Sequence, residues 1–97
     1  MRALRQRLSI WHRLRPLTRR ESADYIRHRV QVAHVSGSFK ITGPGCLVAH
    51  HYSRGVPRRL NQISDRALLA AFSLNRLKVD ANLMRRAARE VVALEML

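Results

Sequence analysis

Apolar residues recur at helical intervals along most of this chain. The clearest case is Val56, Leu60, Ile63, Ala67 and Ala71, spaced by four, three, four and four residues. That spacing paints one face of a helix and predicts an element over about 57–73. A second periodic run, Leu83, Ala87, Val91 and Leu94, predicts a last helix in "ANLMRRAAREVVALEML". Asp80 stands at its N-cap, and Val79 and Met84 hold the positions of a hydrophobic staple. Between these two helices "NRLKVD" reads as a turn, with a short extended piece at 77–79.

The first half is more punctuated. In "RLRPLTRRESADYIRHRV", Pro16 favours an extended approach for Arg15. Thr18 and Glu21 have capping-box spacing, each side chain able to satisfy an amide left open by the first turn. Ile26, Val30 and Ala33 follow at helical spacing, predicting a helix over about 19–34. "HVSGSFKITGPGC" is a connector, marked by Gly37, Gly43, Pro44 and Gly45. A short helix in "CLVAHHYS" ends at Gly55, and the breakers of "GPG" make its first turn the weakest of the set. Four amphipathic helices with short connections predict an all-α fold, a small four-helix bundle. No segment repeats, and 97 residues allow a single modest core.

Charge changes the picture most. Nineteen Lys and Arg stand against six Asp and Glu, a formal charge of +13. All the basic residues except Lys40 and Lys78 are arginines, whose planar fork suits phosphate and carboxylate. Such a surface attracts polyanions: nucleic acid, nucleotides or anionic lipid headgroups. No apolar run reaches transmembrane length. The arginine-rich opening "MRALRQRLSIWHRLRPLTRR" superficially suggests a transit peptide, but it lacks the apolar core of a secretory signal and its arginines continue beyond it. The single cysteine, Cys46, excludes an internal disulfide and fits a reducing compartment.

The candidate chemistry centres on "GVPRRLN", residues 55–61. Pro57 suits the first position of a helix, and Gly55 suits the end of the helix before it. Arg58 and Arg59 then fall in a first helical turn, where the dipole disfavours a cation and favours a bound phosphate. Spacing alone prefers ordinary solvated charge. Other constellations are thinner. Cys46, His50 and His51 lack a second pair to complete a structural metal site, so no metal ligands are expected. Ser53, His50 and Asp65 form a nucleophile set only on paper. Asp65 and Arg66, being adjacent, do not face each other on a helix, and each is expected to pair elsewhere. Trp11 and Tyr52 read as packing residues.

Three blocks, "LRPLTRRESADYIRHRV", "HHYSRGVPRRLNQISDRALLAAF" and "VDANLMRRAAREV", together resemble the C-terminal lid of AAA+ ATPases, in the general secretion pathway protein A (ExeA-like) subgroup. The likeness covers about residues 4–93, with 1–15 as a remnant of the segment leaving an ATPase core and 16–97 as the lid-like domain. In such lids a Gly-x-Pro-Arg carries the sensor 2 arginine, which reaches the terminal phosphates of a nucleotide and couples hydrolysis to lid movement. The resemblance therefore implies cofactor contacts by Gly55, Pro57 and Arg58, with Arg58 as the sensor and Arg59 the poorer candidate. Arg5 and Arg7 lie where such proteins place arginines facing a neighbouring subunit, and neither can be assigned that role. The partners implied are an ATPase core or neighbouring AAA+ subunits. The setting implied is cytoplasmic, at the inner face of the membrane, in secretion-system assembly.

The departures are as informative. There is no GxxxxGK[ST] loop and no apolar strand ending in paired acids. Alone, the chain is not expected to hydrolyse ATP. ATP or ADP with magnesium would require a separate or preceding core, as for a truncated protein, a fragment or a detached partner. A lid without its core should expose apolar faces, giving marginal stability or self-association. "TGPGC" also departs from the family's usual Thr-Pro followed by helix formers. Two other readings stay open: a basic helical nucleic-acid-binding module presenting Arg59, Asn61, Gln62 and Arg66, and an interaction module of another kind.

Overall fold

The computed structural model describes residues 15–32 and 39–96. Ala33, Trp11, Arg5 and Arg7 lie outside the described residues, as does the expected end of the first helix near residue 34.

The first helix, α1 (Arg19–Val32), starts from the expected box. The Glu21 amide donates to Thr18 Oγ1 at 3.2 Å, and the Thr18 amide donates to Glu21 Oε1 at 2.9 Å. Arg15 closes the entry by donating both terminal nitrogens to the two Glu21 oxygens at 3.0 Å. Those bonds, with the Thr18 amide, pull the Glu21 carboxyl down to about 2. Ile26 is completely buried on the inner face.

The connector forms a strand, β1 (Lys40–Ile41), that pairs in parallel with β2 (Lys78–Val79). Lys40 donates its amide to Leu77 O at 2.9 Å, and Thr42 donates to Val79 O at 3.0 Å. The extended piece at 77–79 was visible in the sequence; its partner was not. Two residues are too few to show a period.

The next helix, α2 (Gly43–Ser53), differs from expectation at its start. "GPG" does not break the first turn but forms it. Thr42 is the N-cap, its Oγ1 accepting from the Gly45 amide at 3.1 Å. Pro44 sits in the first turn, where a missing N–H leaves no intrahelical bond unmade. At Gly45 a Cβ would lie 3.0 Å from Val79 O and 3.1 Å from Ile41 Cγ2, so the glycine lets α2 approach the strand pair closely.

The two strongest periodicities gave α3 (Pro57–Ser73) and α4 (Ala81–Glu95). Leu60, Ile63, Ala67 and Ala71 are completely buried, while Val56 is the exposed N-cap residue. On α4, Asp80 Oδ1 accepts from the Leu83 amide at 2.9 Å, and the staple residues Val79 and Met84 are both fully buried. Leu83, Ala87 and Val91 complete that face, but Leu94 is an exception at 54% exposure. It borders a surface groove with Leu69 instead of entering the core.

The architecture is all-α with one minimal strand pair. α4 packs against α2 and α3, and α1 lies over α2 and α3. Ile26, Leu60, Ile63, Val79 and Met84 form the centre of the core. Burying each of these large side chains contributes about 1.5–3 kcal/mol. Ion pairs Arg59–Glu95 and Arg66–Glu90, each 3.0 Å, run across the antiparallel α3–α4 pair. Among the described residues, no helix is long and apolar enough to cross a membrane.

Candidate functional site

The turn between α2 and α3 organises one end of the bundle. Two successive residues take left-handed backbone conformations there, Arg54 with φ 55° and Gly55 with φ 76°. Ser53, completely buried, braces the turn: its hydroxyl donates to His50 O at 3.2 Å and accepts from the Gly55 amide at 3.2 Å. The Leu17 amide then donates to Gly55 O at 2.8 Å. A Cβ on Gly55 would lie 2.3 Å from Leu17 O and 2.9 Å from Leu17 N. Both the positive φ and the backbone approach demand glycine here. The result is a joint that holds the entry of α1 against the start of α3.

Pro57 opens α3, and Val56, apolar at the N-cap, supplies no side-chain cap. The early amides of a helix have no intrahelical partner, and the dipole there favours an anion. Arg58 stands exposed in this first turn. Among the described residues it has no ion-pair partner. Arg59 differs sharply. It is half-buried, and its Nη2 lies 3.0 Å from Glu95 Oε2 on α4. The two adjacent arginines thus have separate surroundings. One bridges two helices, and the other faces solvent beside uncapped amides. Gly55 shapes the turn, Pro57 starts the helix, and Arg58 supplies the guanidinium: together they can receive a phosphate oxygen.

The other sequence candidates separate. His50 does not meet Ser53 through its ring; its Nδ1 lies 2.8 Å from the hydroxyl of Ser22, a buried residue on α1. Burial lowers the His50 pKa, and the charges of Arg19 and His51 lower it further. Asp65 sits 3.2 Å from Arg29, and Arg66 3.0 Å from Glu90, so both partners lie on other helices. Ser53, His50 and Asp65 therefore form no nucleophile set. Cys46 is a buried small residue whose thiol is pushed up by burial, partly offset by Arg27. Among the described residues, no group of three or more His, Cys, Asp or Glu could hold a metal ion. Tyr52 is half-buried against the core, edge-on to His51 at 5.3 Å.

Of the four side chains considered for base reading, Arg59 and Arg66 are held by glutamates of α4, and Asn61 Oδ1 is buried. Only Gln62 is both exposed and without such a tie. Gln62 lines a groove of about 490 Å³ between α3 and α4, together with Leu69, Val91 and Leu94. Sequence reasoning passed over Arg54 and Arg19. Arg54 was detectable, since it flanks the same turn as Arg58. Arg19 was not, because its proximity depends on the Leu17–Gly55 hydrogen bond between distant segments.

Over 73 residues the chain is 38% identical to general secretion pathway protein A of Aeromonas hydrophila, covering 75% of this chain. No family model matches the sequence. No solved structure matches it either. The chain spans about 13% of the length of that curated relative, so the similarity relates it to one segment of a much longer protein.

Proposed function

We propose that this chain is the helical lid of an AAA+-type ATPase and that Arg58 contacts the terminal phosphates of a nucleotide held by a core domain. The observation that carries the proposal is the separation of the two arginines after Pro57. Arg59 is committed to Glu95, while Arg58 stands exposed at an uncapped helix start with no ion-pair partner among the described residues. Similarity to part of general secretion pathway protein A supports the same reading. The Gly55 joint gives it a mechanism. Force on Arg58 passes through Pro57 and Gly55 to the entry of α1, so a phosphate contact can move the lid as a unit. ATP or ADP and magnesium would be bound by the core, and the chain alone would not turn ATP over. Its partners would be that core and neighbouring subunits, in secretion-system assembly at the inner face of the membrane. A second reading, a basic nucleic-acid-binding module, draws on the net charge of +13.

The test is ATP turnover by a protein carrying this lid together with its nucleotide-binding core. Losing a hydrogen bond to a charged group costs about 1.5–3 kcal/mol, so Arg58→Ala should slow turnover by roughly tenfold or more. Arg59→Ala removes a surface ion pair and should change the rate by less than about threefold. Equal, small effects would remove the sensor assignment.

A further inference from the structure

Five of the six acidic residues are engaged in ion pairs: Glu21 with Arg15, Asp65 with Arg29, Asp80 with Arg76, Glu90 with Arg66 and Glu95 with Arg59. The sixth, Asp24, lies on α1 one turn beyond Arg20. Around the Gly55 joint, by contrast, three exposed arginines have no ion-pair partner among the described residues. Arg54 precedes Gly55 in the turn, Arg58 follows it on α3, and Arg19 lies two positions beyond Leu17, whose amide bonds to Gly55. They come from three helix ends that the joint gathers together.

We infer that Arg19 and Arg54 join Arg58 in binding one multiply charged anion, a polyphosphate group, at this end of the bundle. The inference rests on the reading of Arg58 above and extends the site to two residues outside the Gly-Val-Pro-Arg motif. Three cations around one turn repel each other, and a polyphosphate at their centre converts that repulsion into attraction. Arg54 is the left-handed C-cap of α2, with φ 55°, and its side chain is exposed at the turn. All three residues lie within three chain positions of the Leu17–Gly55 hydrogen bond, a placement that suits a short polyphosphate better than a nucleic-acid strand, whose evenly spaced phosphates call for a track of cations.

His50 offers an internal gauge. Its ring is bonded to Ser22 of α1, and the charges of Arg19 on α1 and His51 on its own helix bear on it. Arg54 stands one turn further along. An anion neutralising Arg19 should therefore raise the titration midpoint of His50.

The experiment is calorimetric titration of the 97-residue chain with inorganic triphosphate and, in parallel, with ATP at fixed low salt. The double variant Arg19→Gln/Arg54→Gln should bind both ligands about tenfold more weakly, at roughly 0.7 kcal/mol for each charged contact at a solvent-exposed site. The control Arg86→Gln/Arg89→Gln removes two exposed arginines of α4 and should change affinity by less than about twofold. Equal weakening of both ligands identifies the polyphosphate as the recognised part. Loss confined to ATP, equal losses in the two double variants, or tighter binding of duplex DNA than of triphosphate would overturn the inference. In the unmodified chain, a His50 midpoint that stays fixed at saturating triphosphate would also overturn it. If Arg58→Ala slows ATP turnover while Arg19→Gln/Arg54→Gln binds normally, the inference fails and the Arg58 reading stands.

Discussion

The α3–α4 pair and the Gly55 joint use the same residue type in opposite ways. Along α3, Arg59 and Arg66 each reach a glutamate on α4, and their charges are spent inside the protein. At the joint, Arg54 and Arg58 are exposed and have no acidic partner among the described residues. Exposed ion pairs contribute little stability, about 0–1 kcal/mol each. Their consequence here lies in sorting a strongly basic chain into arginines already matched and arginines available. The hairpin is held by buried Leu60, Ile63, Ala67, Met84 and Ala87, and would persist without its pairs. The joint adds to buried Leu17 a backbone geometry that admits only glycine at position 55.

That contrast is broken most severely at the glycine. Gly55→Ala places a methyl 2.3 Å from Leu17 O at a residue with positive φ. Strain and overpacking together should cost about 3 kcal/mol, visible as an earlier urea midpoint. An unchanged midpoint would mean that the Leu17 segment does not rest on the turn.

A smaller effect sharpens the other side of the joint, where Glu21 anchors the entry of α1. Its carboxyl is held near 2, below the ordinary 4.5, mainly by Arg15 and then by the Thr18 amide. A depressed carboxylate stabilises the folded state fully above its ordinary value, and that contribution is lost as pH falls from about 4.5 through 2. Since the pair is partly exposed, Glu21→Gln should cost roughly 1 kcal/mol or less at neutral pH. Thermal melts across that acid window should then show a flatter pH dependence. A slope identical to that of the parent would show that Glu21 is not the anchoring acid.

Much of the fold was legible because long helices repeat their apolar residues. Leu60, Ile63, Ala67 and Ala71 announced α3, and the Asp80 cap with its Val79–Met84 staple announced α4. What failed to show was local punctuation with a tertiary purpose. "GPG" reads as a helix breaker until Thr42 caps it and Val79 presses on Gly45. The candidate site was half legible. The sequence placed Arg58 and Arg59 in one helical turn, and the family resemblance ranked them. The physical difference between them is Glu95, which sits at the far end of the next helix. Arg19 depended on a hydrogen bond between segments separated by all of α1 and all of α2, and no pattern in the sequence carries that.

Arginines at the joint are thus proposed to be open to an anion, and those between α3 and α4 closed to it by their glutamates. The most direct measurement follows the guanidinium Nε–H resonances of the isolated chain during titration with inorganic triphosphate. Arg19, Arg54 and Arg58 should show saturable shifts, with Arg59 and Arg66 essentially still. Equal movement across all five, or movement led by Arg59 and Arg66, would contradict that division.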